Sequence, residues 1–389
     1  MGVCVCGFDE SCNYEKYPTL ATLGKGIRLI SGRTDTPRKN WFFCPNCRNQ
    51  SFGFDIGEGV FVCTNCAQKL TAEKFLQLKK DKPVSDPKRV ADSTLICAGD
   101  HHTVVVTGDG RVSARGKNLD GQCKVSDWTG VTAVAAGGWH TLGLRKDGRV
   151  LVTGSNDFKQ CAVSGWTDVT AIAGGSWHSL GLRKDGRVLA TGDNSYGQCN
   201  VSGWTDISAI TVGVVFSAGL RKDGTVVVAG PLRDGEKRGC SGWRNITAIA
   251  AGNFHVLGLG ADGRVVAAGR NKDKQCDVEK WSDIVAVSAE ERCSFGLRAD
   301  GTLVTTDNGE KNRFWSRQSN IRAIASGAEH TVALTGDGRL IAYGWNDHGQ
   351  CNLEGIRIPD RKQGCVESEK PLATMQDLTA VLRKISGVK

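Results

Sequence analysis

No stretch of the 389-residue sequence is apolar for eighteen residues in a row, which excludes a helical membrane span. The opening MGVCVCGFDESC has no basic region followed by an apolar core, so no secretory signal is expected. Between residues 94 and 354 no segment sustains a helical period of apolar residues. A nucleophile, base and acid in one recurring arrangement are missing, and no glycine-rich phosphate loop opens a helix. The sequence therefore predicts neither an enzyme nor a small-molecule substrate. Sixteen cysteines without a signal point to a reducing compartment, with thiols free or on metal, and so to the cytoplasm.

What is present is repetition. VAAGGWHTLGLRKDGRVLVTG begins at Val134, and IAGGSWHSLGLRKDGRVLATG follows thirty-eight residues later. An Asp-Gly pair marks seven copies, ending at Gly110, Gly148, Gly186, Gly224, Gly263, Gly301 and Gly338. Eight residues before each glycine stand His102, His140, His178, Phe216, His255, Cys293 and His330. Cys123, Cys161, Cys199, Cys276 and Cys351 keep a second phase, with Cys240 displaced, and Trp128, Trp166, Trp204, Trp243 and Trp281 a third. Within a copy, two apolar runs flank Asp-Gly, the signature of a tight type I′ hairpin. A third strand ends in glycines, and a fourth, poorer one is expected near KQCAV. Four short strands at a period near forty predict a propeller blade, and seven blades close a ring. A linear β-solenoid is the alternative.

The pattern AAGGWHTLGLRKDGRVLVTGSNDFKQC, with GQC or KQC after Asn, resembles the repeat of the regulator of chromosome condensation family, in its short bacterial-like form. The resemblance spans about 260 residues and implies a mainly β fold, a seven-bladed β-propeller. Founding members of that family exchange guanine nucleotide on a small GTPase and bind chromatin, and others hold protein partners through one rim of the ring.

Upstream, WFFCPNCRNQSFGFDIGEGVFVCTNC places Cys44 with Cys47, and Cys63 with Cys66, as two Cys-x-x-Cys pairs fifteen residues apart. Two such turns can bring four thiolates around one zinc ion, a closed structural site on a zinc ribbon. SFGFDI and VFVC alternate as strands about a GEG turn. The domains expected are an irregular segment over 1–40, the ribbon over 41–77, a linker over 78–92, the propeller over 93–358 and a basic tail with a short helix over 359–389. Net charge is +5 over residues 1–90, +3 over 355–389 and +1 between them. The basic ends leave nucleic acid open as a partner.

The recurrent histidines are expected to be buried and structural, donating to backbone carbonyls, and the tryptophans to pack between blades. One position varies inside a constant frame. The residue before the histidine phase is His101, Trp139, Trp177, Val215, Phe254, Arg292 and Glu329 in turn. Turns at the head of a strand display residues on a propeller rim, so these seven are the candidate partner-binding set. Trp139, Trp177, Val215 and Phe254 would form an apolar crescent. Arg292, Glu329 and His101, with Glu290, Glu291 and Asp100, would form a polar one. The function expected is non-enzymatic protein binding through that rim, with the ribbon as an accessory contact. The alternatives are a zinc-ribbon nucleic-acid or chromatin binder and, more distantly, a guanine-nucleotide exchange factor.

Overall fold

In a computed structural model of the chain, the described residues are 93–232 and 239–358, with the backbone of four upstream strands. The chain divides into two compact units. One carries a four-stranded antiparallel sheet of Ile27–Ser31, Ser51–Asp55, Val60–Cys63 and Lys69–Thr71, in that order. SFGFD and VFVC pair as expected, Phe52 opposite Cys63 and Asp55 opposite Val60. The region expected to be irregular contributes a strand: Ile27–Ser31 pairs with Ser51–Asp55. Its sequence, IRLIS, is mostly apolar, with the β-branched isoleucines that strands favour. Cys44, Cys47 and Cys66 lie outside the described residues, as do the linker and the tail helix; of Cys63 only the strand backbone is described.

The second unit is the propeller. Seven three-stranded antiparallel sheets follow one another along the chain, over residues 96–116, 131–154, 169–192, 207–229, 246–269, 284–305 and 321–344. In blade two the first strand Val131–Ala136 pairs with the middle strand His140–Arg145, which pairs with Val150–Gly154. First strands of successive blades are neighbours, and that of blade seven lies beside that of blade one. The ring is closed, so no solenoid end is left.

Two details differ from the sequence expectation. The fourth strand is absent among the described residues: in the intact copies the segment around KQCAV folds as consecutive turns. Its amides are satisfied locally, by turn carbonyls and by the Asn and Gln side chains, which removes the need for a ladder. The Asp-Gly hairpins are not type I′ either. Among each Asp-Gly pair only the glycine has positive φ, as at Gly148 with φ 78°. Arg145 N–H donates to Arg149 O, and Gly148 N–H to Arg145 O. This is a three-residue loop with glycine in the left-handed position.

The core consists of wedges between blades. Trp166 packs with Leu142 and Leu144 of blade two and Val169 of blade three, and Trp204 does the same one blade on. Each ring lies on a middle-strand glycine: a Cβ on Gly181 would meet Trp166 at 2.7 Å, and one on Gly219 would meet Trp204 at 2.8 Å. The tryptophans therefore do pack between blades. Where the series lapses, other groups fill the wedge. Trp315, on the short helix Glu310–Trp315, sits between blades six and seven. Leu353, Ile356 and Ile358 pack against Leu95, Ile96 and Val104 of blade one.

Candidate functional site: the latched face of the propeller

Both the turn before the histidine phase and the loop after the third strand emerge on one face. The loop amides bond back to the turn carbonyls: Lys117 N–H to His101 O at 2.9 Å, Ser155 to Trp139 at 2.9 Å, Asp193 to Trp177 at 2.8 Å, Arg270 to Phe254 at 2.9 Å and Trp345 to Glu329 at 3.1 Å. The Asp-Gly hairpins lie at the opposite ends of the strands.

Beneath this face the histidines form latches between blades. His102 Nε2 meets Thr141 Oγ1 at 2.8 Å, His140 meets Ser179 Oγ at 2.8 Å, and His178 meets Ser217 Oγ at 3.0 Å. His255 reaches Ser294 Oγ, and His330 reaches Thr103 Oγ1, both at 2.8 Å. The partner is thus the next blade's hydroxyl rather than a backbone carbonyl. Each hydroxyl in turn donates to a glutamine carbonyl, as Thr141 does to Gln122 O and Thr103 to Gln350 O, both at 2.8 Å. A hydroxyl has one proton, so it must accept from histidine, and Nε2 carries the hydrogen. Burial lowers the pKa of His102 and His140 to about 3, and of His178, His255 and His330 to about 4. All five are neutral at physiological pH.

The two breaks in the series are compensated. Phe216 replaces a histidine, and Val256 stands where the next blade would offer a hydroxyl; both are fully buried in one apolar cluster. In blade six, Cys293 leaves the imidazole space empty and the recurrent glycine becomes Glu290. The Glu290 carboxylate, 1% exposed, accepts from Thr331 Oγ1, Lys311 Nζ and, at 3.2 Å, Cys293 Sγ. Burial works against the Lys311 charge, but Glu290 beside it prevails and holds its pKa above the usual value. Glu290 is therefore an internal latch and not a rim charge, as the sequence had suggested.

The Asn-x-x-x-Gln-Cys loops are held from inside. Asn156 Oδ1 accepts from Cys161 N–H at 2.9 Å, and Gln160 Oε1 from Phe158 N–H at 2.9 Å; Gln198 and Gln350 do the same for Tyr196 and His348. These glutamines are fully buried. Their invariance inside GQC and KQC was the available signal. The loop cysteines donate to backbone carbonyls, Cys161 Sγ to Ser155 O at 3.1 Å. Burial pushes the thiols of Cys123, Cys161, Cys199 and Cys351 up to about 11, so they are not nucleophiles.

The loops add what the sequence reading missed. Trp139 and Trp177 stack, with centroids 5.7 Å apart and planes at 16°. Phe158 lies 5.2 Å from Trp177, and Lys117 Nζ sits 4.2 Å over Trp139. His101 stands edge-to-face with Trp139 at 5.8 Å and with Trp345 at 4.9 Å, with His348 at 5.6 Å. Leu119, Phe158 and Tyr196 on successive loops are 85%, 46% and 53% exposed. The aromatic ledge thus runs over blades seven, one, two and three. His101 is at its centre and not in a polar crescent. Phe254 stands apart, under the Arg270 guanidinium at 5.9 Å. Val215 is half-buried, Arg292 and Glu329 are exposed, and Arg292 Nε lies 3.8 Å from Glu291.

The class is therefore a seven-bladed β-propeller of latched, three-stranded repeats. The family model for the regulator of chromosome condensation (RCC1) repeat matches residues 94–122, 131–160, 169–198, 246–275 and 321–350. These are the five copies that carry the histidine. The propeller is therefore built on RCC1-type repeats. Among solved structures, the ectodomain of the receptor kinase CR4 from Physcomitrella patens is 19% identical, with a TM-score of 0.53 over 64% of this chain and 72% of that one. The CRINKLY WD40 ectodomain of the Arabidopsis thaliana receptor kinase ACR4 is also 19% identical, with a TM-score of 0.52 over 69% and 97%. Both likenesses are of fold. A curated protein, the acetyl-coenzyme A carboxylase carboxyl transferase subunit beta of Granulibacter bethesdensis, is 30% identical over 78 residues, 17% of this chain. The chain spans about a quarter of that protein's length.

Proposed function

We propose that this protein is a non-enzymatic binding module that holds a protein partner on the latched face of the propeller. The upstream sheet, a zinc ribbon on Cys44, Cys47, Cys63 and Cys66, would be an accessory contact. The observation that carries the reading is the ledge of His101, Trp139, Trp177, Phe158 and Trp345 on rigid loops. The rings of His101, Trp139, Trp177 and Trp345 are half-buried, and the exposed Leu119, Phe158 and Tyr196 border them. Apolar patches on a surface mark interaction sites, and rigid aromatic anchors give large contact area at little entropic cost. The RCC1-type repeats favour a scaffold over a catalyst.

The test separates face from core. A partner captured from the native cell by the wild-type chain should bind Trp177→Ala more weakly by about 2 kcal/mol or more, measured by calorimetry. The fold of that variant should change by about 0.5 kcal/mol or less. Trp204→Ala should do the reverse and destabilise the ring by about 3–5 kcal/mol. Retention of the partner by Trp177→Ala would place binding on another face, and a steep loss of binding with salt would favour nucleic acid.

A further inference from the structure

The corner of the ledge over blades seven, one and two combines aromatic rings with carboxylates. Around His101, the rings of Trp139, Trp345 and His348 stand at 72°, 83° and 69° to the imidazole. Rings at such angles cannot cover one another's faces as a parallel stack does. That a cation suits these faces is already visible, because Lys117 Nζ sits over Trp139.

Besides Lys117, the charge alongside is negative. Asp100 precedes His101, and its side chain lies against Gly138 of blade two. Glu329 adjoins Trp345, whose amide bonds its carbonyl. Burial first, and then Glu291 and Glu329, push the Asp100 pKa up to about 6, so the three carboxyl groups feel one another. Glu291 has Arg292 beside it. Asp100 and Glu329 make no ion pair among the described residues. Glu329 also acts on His101 itself, and carboxyl groups coupled to an aromatic corner repel a phosphate backbone and attract a guanidinium or ammonium group. Such a group also gains from the ring quadrupoles.

Resting on the protein-binding reading, we infer that the partner docks with a cationic side chain in the corner formed by His101, Trp139 and Trp345, neutralised by Asp100 and Glu329. Its neighbouring apolar side chains lie along Trp177 and Phe158. Charge complementarity identifies the occupant: an arginine- or lysine-bearing peptide segment with apolar neighbours.

The full chain can be titrated with a labelled peptide holding two arginines among leucine and phenylalanine, and with the same peptide carrying glutamine for arginine. The arginine peptide should bind about tenfold more tightly. Asp100→Asn with Glu329→Gln, both isosteric, should remove most of that difference, and raising salt should shrink it. Trp345→Ala should weaken the arginine peptide selectively. Trp177→Ala should weaken both peptides alike, since it acts on the apolar part. Thermal melts establish that each variant is folded. Equal binding of the two peptides, no detectable binding of the arginine peptide, or an unchanged Asp100→Asn/Glu329→Gln protein would overturn the inference. Preferential binding of a single-stranded oligonucleotide at the same residues would overturn it too. Insensitivity of every peptide to Trp177→Ala would instead remove the face itself from the protein-binding reading.

Discussion

Phe216 and Val256 carry the information that a repeat gives when it is broken. In the other blades the first position holds an imidazole, or Cys293 in blade six, and the following blade offers a hydroxyl. Here donor and acceptor were replaced together, so no buried polar group is left without a partner. Removing both halves of a buried hydrogen bond costs little, whereas removing one leaves a desolvated group. Phe216→His alone should therefore destabilise the protein by about 2 kcal/mol, because the new ring faces Val256. Adding Val256→Thr should recover part of the loss, giving a favourable coupling of about 1 kcal/mol in a double-mutant cycle read by urea unfolding. Glu290 with Cys293 and Lys311 is the second solution to the same vacancy, with a carboxylate in the place of the ring.

At the scale of elements, the repeat separates support from display. Asn and Gln side chains hold each loop from below through main-chain amides, so the residue at the tip is free to vary without changing the loop's path. Phe158, Tyr196 and His348 occupy one such tip position. A loop braced in this way presents a side chain with little conformational entropy left to lose on binding. The upstream sheet follows a different principle. Its hairpin between Ser51–Asp55 and Val60–Cys63 is short, and a unit of this size needs a metal or another staple to persist. We expect one zinc per purified chain by elemental analysis. Cys44→Ser should abolish the metal content and unfold this unit. The main thermal transition of the propeller should remain within a few degrees, because the chain divides into two compact units and such units usually fold separately.

For the whole molecule, closure and latching decide stability. Among the described residues no strand is exchanged to close the ring. Instead the segment after copy seven acts as the start of a further copy. Ile358 N–H bonds Gly338 O at 3.0 Å, as Val131 bonds Gly110 O, and Ile356 packs where a tryptophan would stand. Gln350 then receives Thr103 of blade one. The five neutral histidines set the pH response. Their folded pKa values, about 3 to 4, lie below the ordinary 6.5. Between those limits the unfolded chain binds protons that the folded ring refuses. The stabilisation is complete above pH 6.5 and is lost as pH falls towards 4, by about 1 kcal/mol per pH unit for each latch. Urea midpoints should fall steadily from pH 7 to pH 5, and His255→Gln should flatten that slope by about one proton.

The sequence alone determined the repeat number, the ring, the burial of the histidines and the wedge role of the tryptophans. All of these recur at fixed phase, and a repeated unit makes the same contact wherever its residues recur. It also marked the residues before each histidine, because variation in a constant frame needs no structure to be seen. Tertiary structure decided what depends on contact between copies. The histidine partner lies one blade away, and nothing local distinguishes a hydroxyl from a carbonyl. Glu290 reads as a surface charge until Cys293 is seen to vacate the space it fills. His101 passes for a polar residue until Trp345, far along the chain, closes beside it across the seam of the ring. Periodicity is a property of one chain segment, whereas the composition of a face depends on which segments folding brings together.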